Sequence, residues 1–401
     1  MSTVIKPFAL IVGTSDVDTR IPLIQRLVGF RMGAMGTAER LRIRFEAAGF
    51  PYYRYYMRRG AGPISDINAY CRLVFLFRAF KPDIVHAFDT KPCVWARLAA
   101  RTAKVPVVIG TLPGGGSLYS DTRLSTQLIR SIYQPLLRLS AHGSDLTIFQ
   151  NKYDLRQFTS MGLVPRNRCM TVPGSGIDTT HFCRERVSEA ARGKVISDLG
   201  ILPGQAIITL IARVLRSKGV LEFAAAASFV RQKHPNVRFL LVGPMDTESR
   251  DGLSAGELTR VRANVQYLGA RDDIAAVLAM SDIFVLPSYY REGIPRVLME
   301  AASMGLPLIT VDAPGCREVV RDGENGIFIP PRDPEALAQA ICTLVENAPL
   351  RESFGKVSRR RAVEEFDISI VAWQLKEIYS QLMERAAFKQ TGRKSKRFFP
   401  N

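Results

Sequence analysis

Cysteine is sparse and scattered. The six residues, Cys71, Cys93, Cys169, Cys183, Cys316 and Cys342, form no C-x-x-C pair, which argues against a zinc site or a thiol redox motif and fits a reducing compartment. Long apolar runs are missing too. No uncharged stretch reaches the roughly 18–20 residues that a spanning helix requires, so any membrane contact is expected to be peripheral. Only Lys6 precedes the short apolar run Phe8–Val12, which reads as a first strand and not as a signal peptide. The four histidines, His86, His142, His181 and His234, have no metal-ligand spacing among themselves. Neither a fixed-period repeat nor a low-complexity tract is visible, and a hydrophobic fraction of 47% with 23% charged residues places the chain in the globular class.

Acidic residues are the next shortage, and it is uneven. Residues 1–200 hold 28 Lys and Arg against 14 Asp and Glu, whereas residues 201–401 hold 27 against 23. The stretch from Lys389 onward adds Lys389, Arg393, Lys394, Lys396 and Arg397 with no acid, so the second half proper is close to neutral. A basic first half beside a neutral second half suggests that one domain faces an anionic partner, nucleic acid or anionic lipid, and the other does not.

At 401 residues the chain is long for one core and comfortable for two. Short β-type runs alternate with helical patterns throughout, the signature of parallel sheets with crossover helices. The expected fold is therefore α/β with two doubly wound, Rossmann-like domains. Residues 1–183 are expected to form the first, 184–204 a linker whose charged, Ala-rich stretch Arg184–Asp198 holds a short helix, and 205–370 the second. Residues 371–388 have apolar spacing for a closing helix that packs back on the first domain, and 389–401 a basic tail.

The most informative stretch runs from Ile283 to Gly326. A strand, IFVLP, leads into Ser288-Tyr-Tyr-Arg-Glu-Gly-Ile-Pro-Arg and then a helical run carrying Glu300. In an open parallel sheet such a loop lies at the carboxyl end of its strand, where ligands bind. A helix starting near Pro295 would aim backbone N–H groups and its positive dipole end at that crevice, which suits a diphosphate. Glu292 and Glu300 bracket the helix start and can accept hydrogen bonds from ribose or hexose hydroxyls. Taken alone, a helix-start acid and a solvent-facing helix glutamate would look the same. Two further strand ends converge on the same crevice: ITLIARVLRSKGV places Arg213 and Lys218 where they can neutralise a diphosphate, and LLVGP places Gly243 where a ligand can approach the backbone.

Residues 207–330 resemble the donor half of the family 4 retaining glycosyltransferases, which adopt the GT-B fold with two domains facing a central cleft. The matching elements are Arg213, Lys218 and Gly219, then FLLVG, Leu268-Gly269, the Glu-x7-Glu element Glu292 and Glu300, Gly305-x-Pro307 and Gly315-x2-Glu318. The resemblance implies that Arg213 and Lys218 hold the diphosphate, Glu300 the ribose and Glu292 the donor sugar, with backbone around Gly293, Ile294, Pro295 and Arg296 facing the phosphates or sugar. In the first half HAFDTKP, RLAARTAKVPVVIGTLPGGG and VPGSGID resemble the bacterial subgroup that glycosylates polyprenyl-diphosphate-linked sugars. The implied partners are a nucleotide sugar, UDP-linked, a lipid-linked saccharide acceptor and an anionic membrane surface, with the protein peripheral on the inner face of the plasma membrane. No nucleic acid, metal or resident cofactor is expected. One departure is that the loop after Val105–Ile109 reads Thr111-Leu-Pro-Gly-Gly-Gly116 where many relatives have a histidine.

On the acceptor side the candidates are His86, Lys91 and the triplet Gly114, Gly115 and Gly116, whose N–H groups can cradle a diphosphate; a core histidine and a plain turn are the competing readings. Asp16-Val-Asp18 reads as a polar turn despite its D-x-D pattern. Arg40, Arg42, Arg44, Arg54, Arg58 and Arg59 alternate with Phe45, Phe50, Tyr52, Tyr53, Tyr55 and Tyr56, suited either to a membrane surface or to a core helix and strand with a basic edge. The tail GRKSKRFF suits an anionic membrane as well. Two rivals remain at this level: transfer to a soluble acceptor, and a nucleic-acid-binding module suggested by the pI of about 9.9.

Overall fold

The computed structural model describes residues 6–58, 62–120, 123–246, 249 and 251–390. They divide into two compact units: residues up to Gly176 together with the closing helix Ile368–Gln390, and residues Ile177–Asp367.

In the first unit seven parallel strands are β1 (Phe8–Val12), β2 (Arg31–Gly36), β3 (Tyr52–Arg54), β4 (Ile84–Phe88), β5 (Val107–Leu112), β6 (Leu146–Phe149) and β7 (Cys169–Thr171), in the order β3-β2-β1-β4-β5-β6-β7. Helices cover both faces, so β1 is buried along its whole length, as expected of a parallel sheet. Its side chains alternate between the faces. Leu10 and Val12 join a core completed by the helices Pro63–Phe80, Pro92–Thr102 and Leu124–His142, while Ala9 and Ile11 join a core completed by the closing helix. The latter buries Val371, Leu375, Ile378, Tyr379 and Leu382, one stripe at helical spacing. At about 1.5–3 kcal/mol per large apolar side chain, that stripe fixes the helix on this sheet.

The second unit holds β8 (Ile207–Ile211), β9 (Arg238–Val242), β10 (Gln266–Tyr267), β11 (Ile283–Leu286), β12 (Leu308–Val311) and β13 (Gly326–Ile329), parallel and ordered β10-β9-β8-β11-β12-β13. Both sheets are doubly wound. Strand order reverses between β1 and β4 in one unit and between β8 and β11 in the other, and each reversal opens a crevice at the carboxyl ends.

Several expectations are corrected. The second unit begins at Ile177, because Ile177 and Phe182 are buried in its core and Ile177 pairs with Asp367. The short helix expected within 184–204 is Glu189–Leu199, capped by Ser188, but the stretch belongs to the second unit, since Val195 and Leu199 pack against Ile207 and Leu240. Strand β5 runs to Leu112, so Thr111 is a strand residue and the loop starts at Pro113. Strands β2 and β3 carry little strand signal in the sequence. Sequence RMGAMG has no β-branched residue, and its small residues are there for packing: a Cβ on Gly36 would lie 2.7 Å from the Tyr52 hydroxyl. The basic and aromatic segment is the helix Leu41–Ala47 followed by β3, with Phe45, Tyr52 and Tyr55 buried and Tyr56 exposed; Phe45 stacks on Tyr52. Arg59 and residues 391–401 lie outside the described residues. Among the described residues no helix is long and apolar enough to cross a membrane.

Candidate active site

Of the sequence-expected donor residues, the β8–β11 reversal brings Lys218 against Glu292, while Arg213 and Gly243 lie on the neighbouring strand-end loops and Glu300 on the helix that follows Glu292. After β8 the chain passes Arg213 and makes a short 3-10 turn, Arg216–Lys218, closed by Gly219 at φ 74°. A side chain at Gly219 would put its Cβ 2.3 Å from the Pro287 carbonyl oxygen, so only glycine lets this turn lie against the end of β11. The Tyr289 and Tyr290 N–H groups both donate to the Ser217 carbonyl oxygen. That clamp sets Lys218 opposite the loop of Glu292.

Lys218 is buried, and its Nζ lies 2.5 Å from Glu292 Oε1. Ser288 Oγ donates to the same carboxylate oxygen at 3.2 Å, and the Lys218 ammonium lies 5.2 Å from the centre of the Tyr290 ring. Ammonium and carboxylate therefore hold each other at the crevice with donor capacity left on the lysine, which has three N–H groups. Arg213 is tied to Asp246 at 2.8 Å and stays more than a third exposed. Behind it Gly243, at φ 142°, allows the β9 loop to touch the β8 loop, since a Cβ there would fall 1.9 Å from the Ala212 carbonyl oxygen.

Beyond Glu292, the helix Arg296–Ser303 begins at Pro295 in extended conformation. Gly293, Ile294 and Pro295 are buried just before it, and the neighbouring helix Pro314–Val319 presses on them: a Cβ on Gly315 would sit 1.7 Å from the Gly293 carbonyl oxygen. Glu300 is 7% exposed and not solvent-facing. Burial pushes its carboxyl above the usual range, opposed by the Arg296 guanidinium, whose Nε is 2.8 Å from Oε1, and by His181. The Glu300 carboxylate, held by one arginine, keeps acceptor positions with which it can receive hydrogen bonds from hydroxyl groups. His181, which the sequence spacing did not single out, enters only through the fold, because it lies more than a hundred residues upstream of Glu300.

In the first unit the acceptor-side candidates separate. His86 is fully buried, with Nδ1 2.8 Å from the Tyr379 hydroxyl and Nε2 2.7 Å from Thr111 Oγ1. Burial, reinforced by the Arg20 charge, lowers its pKa to about 3, so it is a neutral core histidine and offers no face to an acceptor. Lys91 bonds Asp66 and the Arg58 carbonyl oxygen. Gly114 and Gly116 adopt φ 131° and 56° and lead, through Gly115, into the helix Gly116–Ser120. At the β1–β4 reversal the fold adds Thr14 and Arg20, which no sequence motif marks, to Asp89: the Thr14 N–H and hydroxyl both donate to Asp89, Arg20 pairs with Asp89 at 3.3 Å, and Arg20 lies 4.4 Å over the Phe88 ring. Asp89 holds φ 72°, a strained backbone of the kind that clusters at binding sites. Asp18, from the D-x-D pattern, is buried against Arg44.

Metal-ligand chemistry meets at one place among the described residues. His234, Cys342 and Glu346 offer ligand atoms within 4.8 Å of one another. The Glu346 carboxylate is already bonded by Lys233 and His234, and the group lies at the C-terminal end of the helix Val220–Lys233, away from the carboxyl ends of the strands.

Two family models match: "Glycosyl transferases group 1" over residues 205–347 and "Glycosyl transferase 4-like domain" over residues 26–174. The chain is a family 4 glycosyltransferase. Similar curated relatives are the N,N'-diacetylbacillosaminyl-diphospho-undecaprenol alpha-1,3-N-acetylgalactosaminyltransferase of Campylobacter jejuni, 28% identical over 82% of this chain and 85% of its own, and the UDP-Gal:alpha-D-GlcNAc-diphosphoundecaprenol alpha-1,3-galactosyltransferase of Escherichia coli, 28% identical over 81% and 82%. Among solved structures, Anabaena HepE in complex with UDP and glucose superposes with a TM-score of 0.77 at 20% identity, covering 93% of this chain and 99% of that one. The glycosyltransferase thus has the GT-B class of fold.

Proposed function

We propose that this glycosyltransferase moves a sugar from a UDP-linked donor, with retention of configuration, to a lipid-diphosphate-linked saccharide in bacterial surface polysaccharide synthesis, working peripherally at the inner face of the plasma membrane. The observation that carries the donor half is the Lys218–Glu292 pair at the ends of β8 and β11, with Arg213 on the same loop as Lys218 and the Arg296–Ser303 helix starting just after Glu292. The relatives' names, which specify undecaprenyl-diphosphate acceptors and in one case a UDP-sugar, support the acceptor and the base.

In this reading the diphosphate lies against the helix start, with Lys218 and Arg213 supplying positive charge. Glu292 orients the sugar hydroxyls and Glu300 the ribose. The bond between the sugar C1 and the β-phosphate oxygen breaks, its electron pair passing to that oxygen. The acceptor hydroxyl oxygen forms the new bond to C1 on the same face, and its proton goes to the departing phosphate. No covalent nucleophile takes part, so the protein's contribution is electrostatic stabilisation of the leaving diphosphate. Glu292 is not a general acid, unlike the carboxylates of glycoside hydrolysis. Two cations and a helix end already oppose the phosphate charge, so transfer requires no metal. On the acceptor side Arg20, Asp89 and Thr14 replace His86 as the groups facing the saccharide or its phosphate.

The test is a screen of nucleotide sugars against polyprenyl-diphosphate-sugar extracts, with and without chelator, read by product mass. A mass increase of one sugar on a lipid-linked acceptor is expected. Transfer confined to soluble saccharides, or tight binding of random RNA with no transfer to any acceptor, would overturn the reading.

A further inference from the structure

The helix Leu124–His142 presents two opposite faces of the same kind. Leu137 and Ala141 are buried in the first unit's core. On the outward side Leu124, Leu128, Ile132 and Leu139 are 61–83% exposed and, spaced four, four and seven residues apart, form one line along the helix. Water-facing helix surfaces ordinarily carry charge of both signs. This helix has no acid; Arg138 is exposed on it and Arg123 is exposed just before it, whereas Arg130 turns inward, donating to the Leu118 carbonyl oxygen and lying 5.2 Å from the centre of the Tyr119 ring.

The neighbouring helices share the pattern. Pro63–Phe80 packs on Pro92–Thr102, which packs on Leu124–His142, all on one face of the sheet. Ile64, Ile67 and Phe75 stand 54–77% exposed on the first of these. Asp66 is the one acid in the three helices, and it is buried against Lys91. Beside the Pro63–Phe80 helix a groove lined by Arg54, Tyr56 and Arg72 adds cations at the edge. The closing helix on the opposite face of the sheet is different, since it carries Glu377 and Glu384 as well as cations. Exposed aliphatic side chains with cations and no acid suit insertion among acyl chains with phosphates at the rim, whereas bases would be met by aromatic platforms.

We infer that the outward face of the Leu124–His142 helix, flanked by that of Pro63–Phe80, is the surface by which this glycosyltransferase docks on an anionic lipid bilayer. It rests on the lipid-linked acceptor proposed above and names the surface that brings the first unit to that substrate. Of the Arg40–Tyr56 segment, whose aromatic residues are mostly core, only Arg54 and Tyr56 reach the edge of that surface.

The test is flotation of the full chain with vesicles of phosphatidylcholine alone or mixed with phosphatidylglycerol, at low and high salt. Binding to the anionic vesicles is expected, weakening with salt, since each cation at such a surface contributes about fivefold in partition. The double variant Leu128→Gln/Ile132→Gln alters only exposed side chains and should lower partition at least about tenfold. Phe229→Gln, an exposed position on the second unit, should leave it unchanged. The inference fails if the wild type stays with neither vesicle or if the double variant floats like the wild type. It also fails if light scattering shows a wild-type dimer that the double variant dissociates, because a second copy would then cover the face. Flotation uses neither donor nor acceptor, so its failure leaves the transfer reading standing, and absence of transfer leaves docking standing.

Discussion

Replacing His86 by glutamine separates a structural histidine from a catalytic one, and the size of the effect follows from its surroundings. The ring is fully buried between the Tyr379 and Thr111 hydroxyls and titrates at about 3 in the folded protein, against an ordinary 6.5. A depressed folded value means that the stabilisation is complete above pH 6.5 and is lost as pH falls from 6.5 towards 3. At pH 5 the unfolded chain has taken up a proton that the folded chain has not, which costs the fold about 2 kcal/mol relative to pH 7.5. Glutamine can still bond one or both hydroxyls but cannot titrate. His86→Gln should therefore be less stable than wild type at pH 7.5, by about 1–3 kcal/mol for imperfect bonding, and the gap should shrink by about 2 kcal/mol at pH 5. Both tryptophans, Trp95 and Trp373, lie in the first unit, so urea unfolding followed by tryptophan fluorescence reports on the right part of the molecule. Taking the difference between two proteins cancels every other titrating group. A gap that stays constant from pH 7.5 to 5 would refute the burial argument. Loss of tenfold or more in kcat/KM by a folded variant at pH 7.5 would restore His86 to the acceptor side.

Lys218→Ala should lower kcat about 10²- to 10³-fold with the fold intact by circular dichroism, the loss typical of a removed oxyanion-stabilising donor, and Glu292→Ala should likewise remove most transfer; near-normal turnover in either removes the pair from the mechanism. Glu300→Gln should raise the donor KM with a smaller change in kcat. Because burial raises the Glu300 pKa, folding favours its protonated form, and stability contributed at low pH is lost as pH rises past its ordinary value of about 4.5. The glutamine variant should consequently gain stability relative to wild type between pH 4 and 7, and a wild-type advantage growing with pH would contradict this. Gly315→Ala should displace Gly293 and raise the donor KM together with a lowered Tm, whereas Gly256→Ala, with nothing within 4 Å, should be neutral or slightly stabilising; equal behaviour of the two would show that the Gly293 contact carries nothing.

Sequence alone determined the alternation of strands and helices, hence two parallel sheets, because a strand buried on both faces must be apolar along its length and IVG, FLLVG and IFVLP are. It also pointed to the proposed donor loop, since Arg213, Lys218, Gly243 and Glu292 follow strand ends whose position relative to a crevice is set by the doubly wound topology. What it left undecided depended on which residues meet across long separations. The RMGAMG strand is held by neighbours and not by propensity. The boundary at Gly176 depends on which core buries Ile177 and Phe182. His86 and Tyr379, nearly three hundred residues apart, become one buried pair only when the closing helix lies on the sheet, and Thr14, Arg20 and Asp89 meet only because β1 lies beside β4. The same holds for the surface. In the sequence the Arg and aromatic residues of Arg40–Tyr56 suit a membrane surface and a basic-edged core alike, and the fold decides by burying Phe45, Tyr52 and Tyr55; likewise only the fold shows which leucines of the Leu124–His142 helix are core and which are exposed.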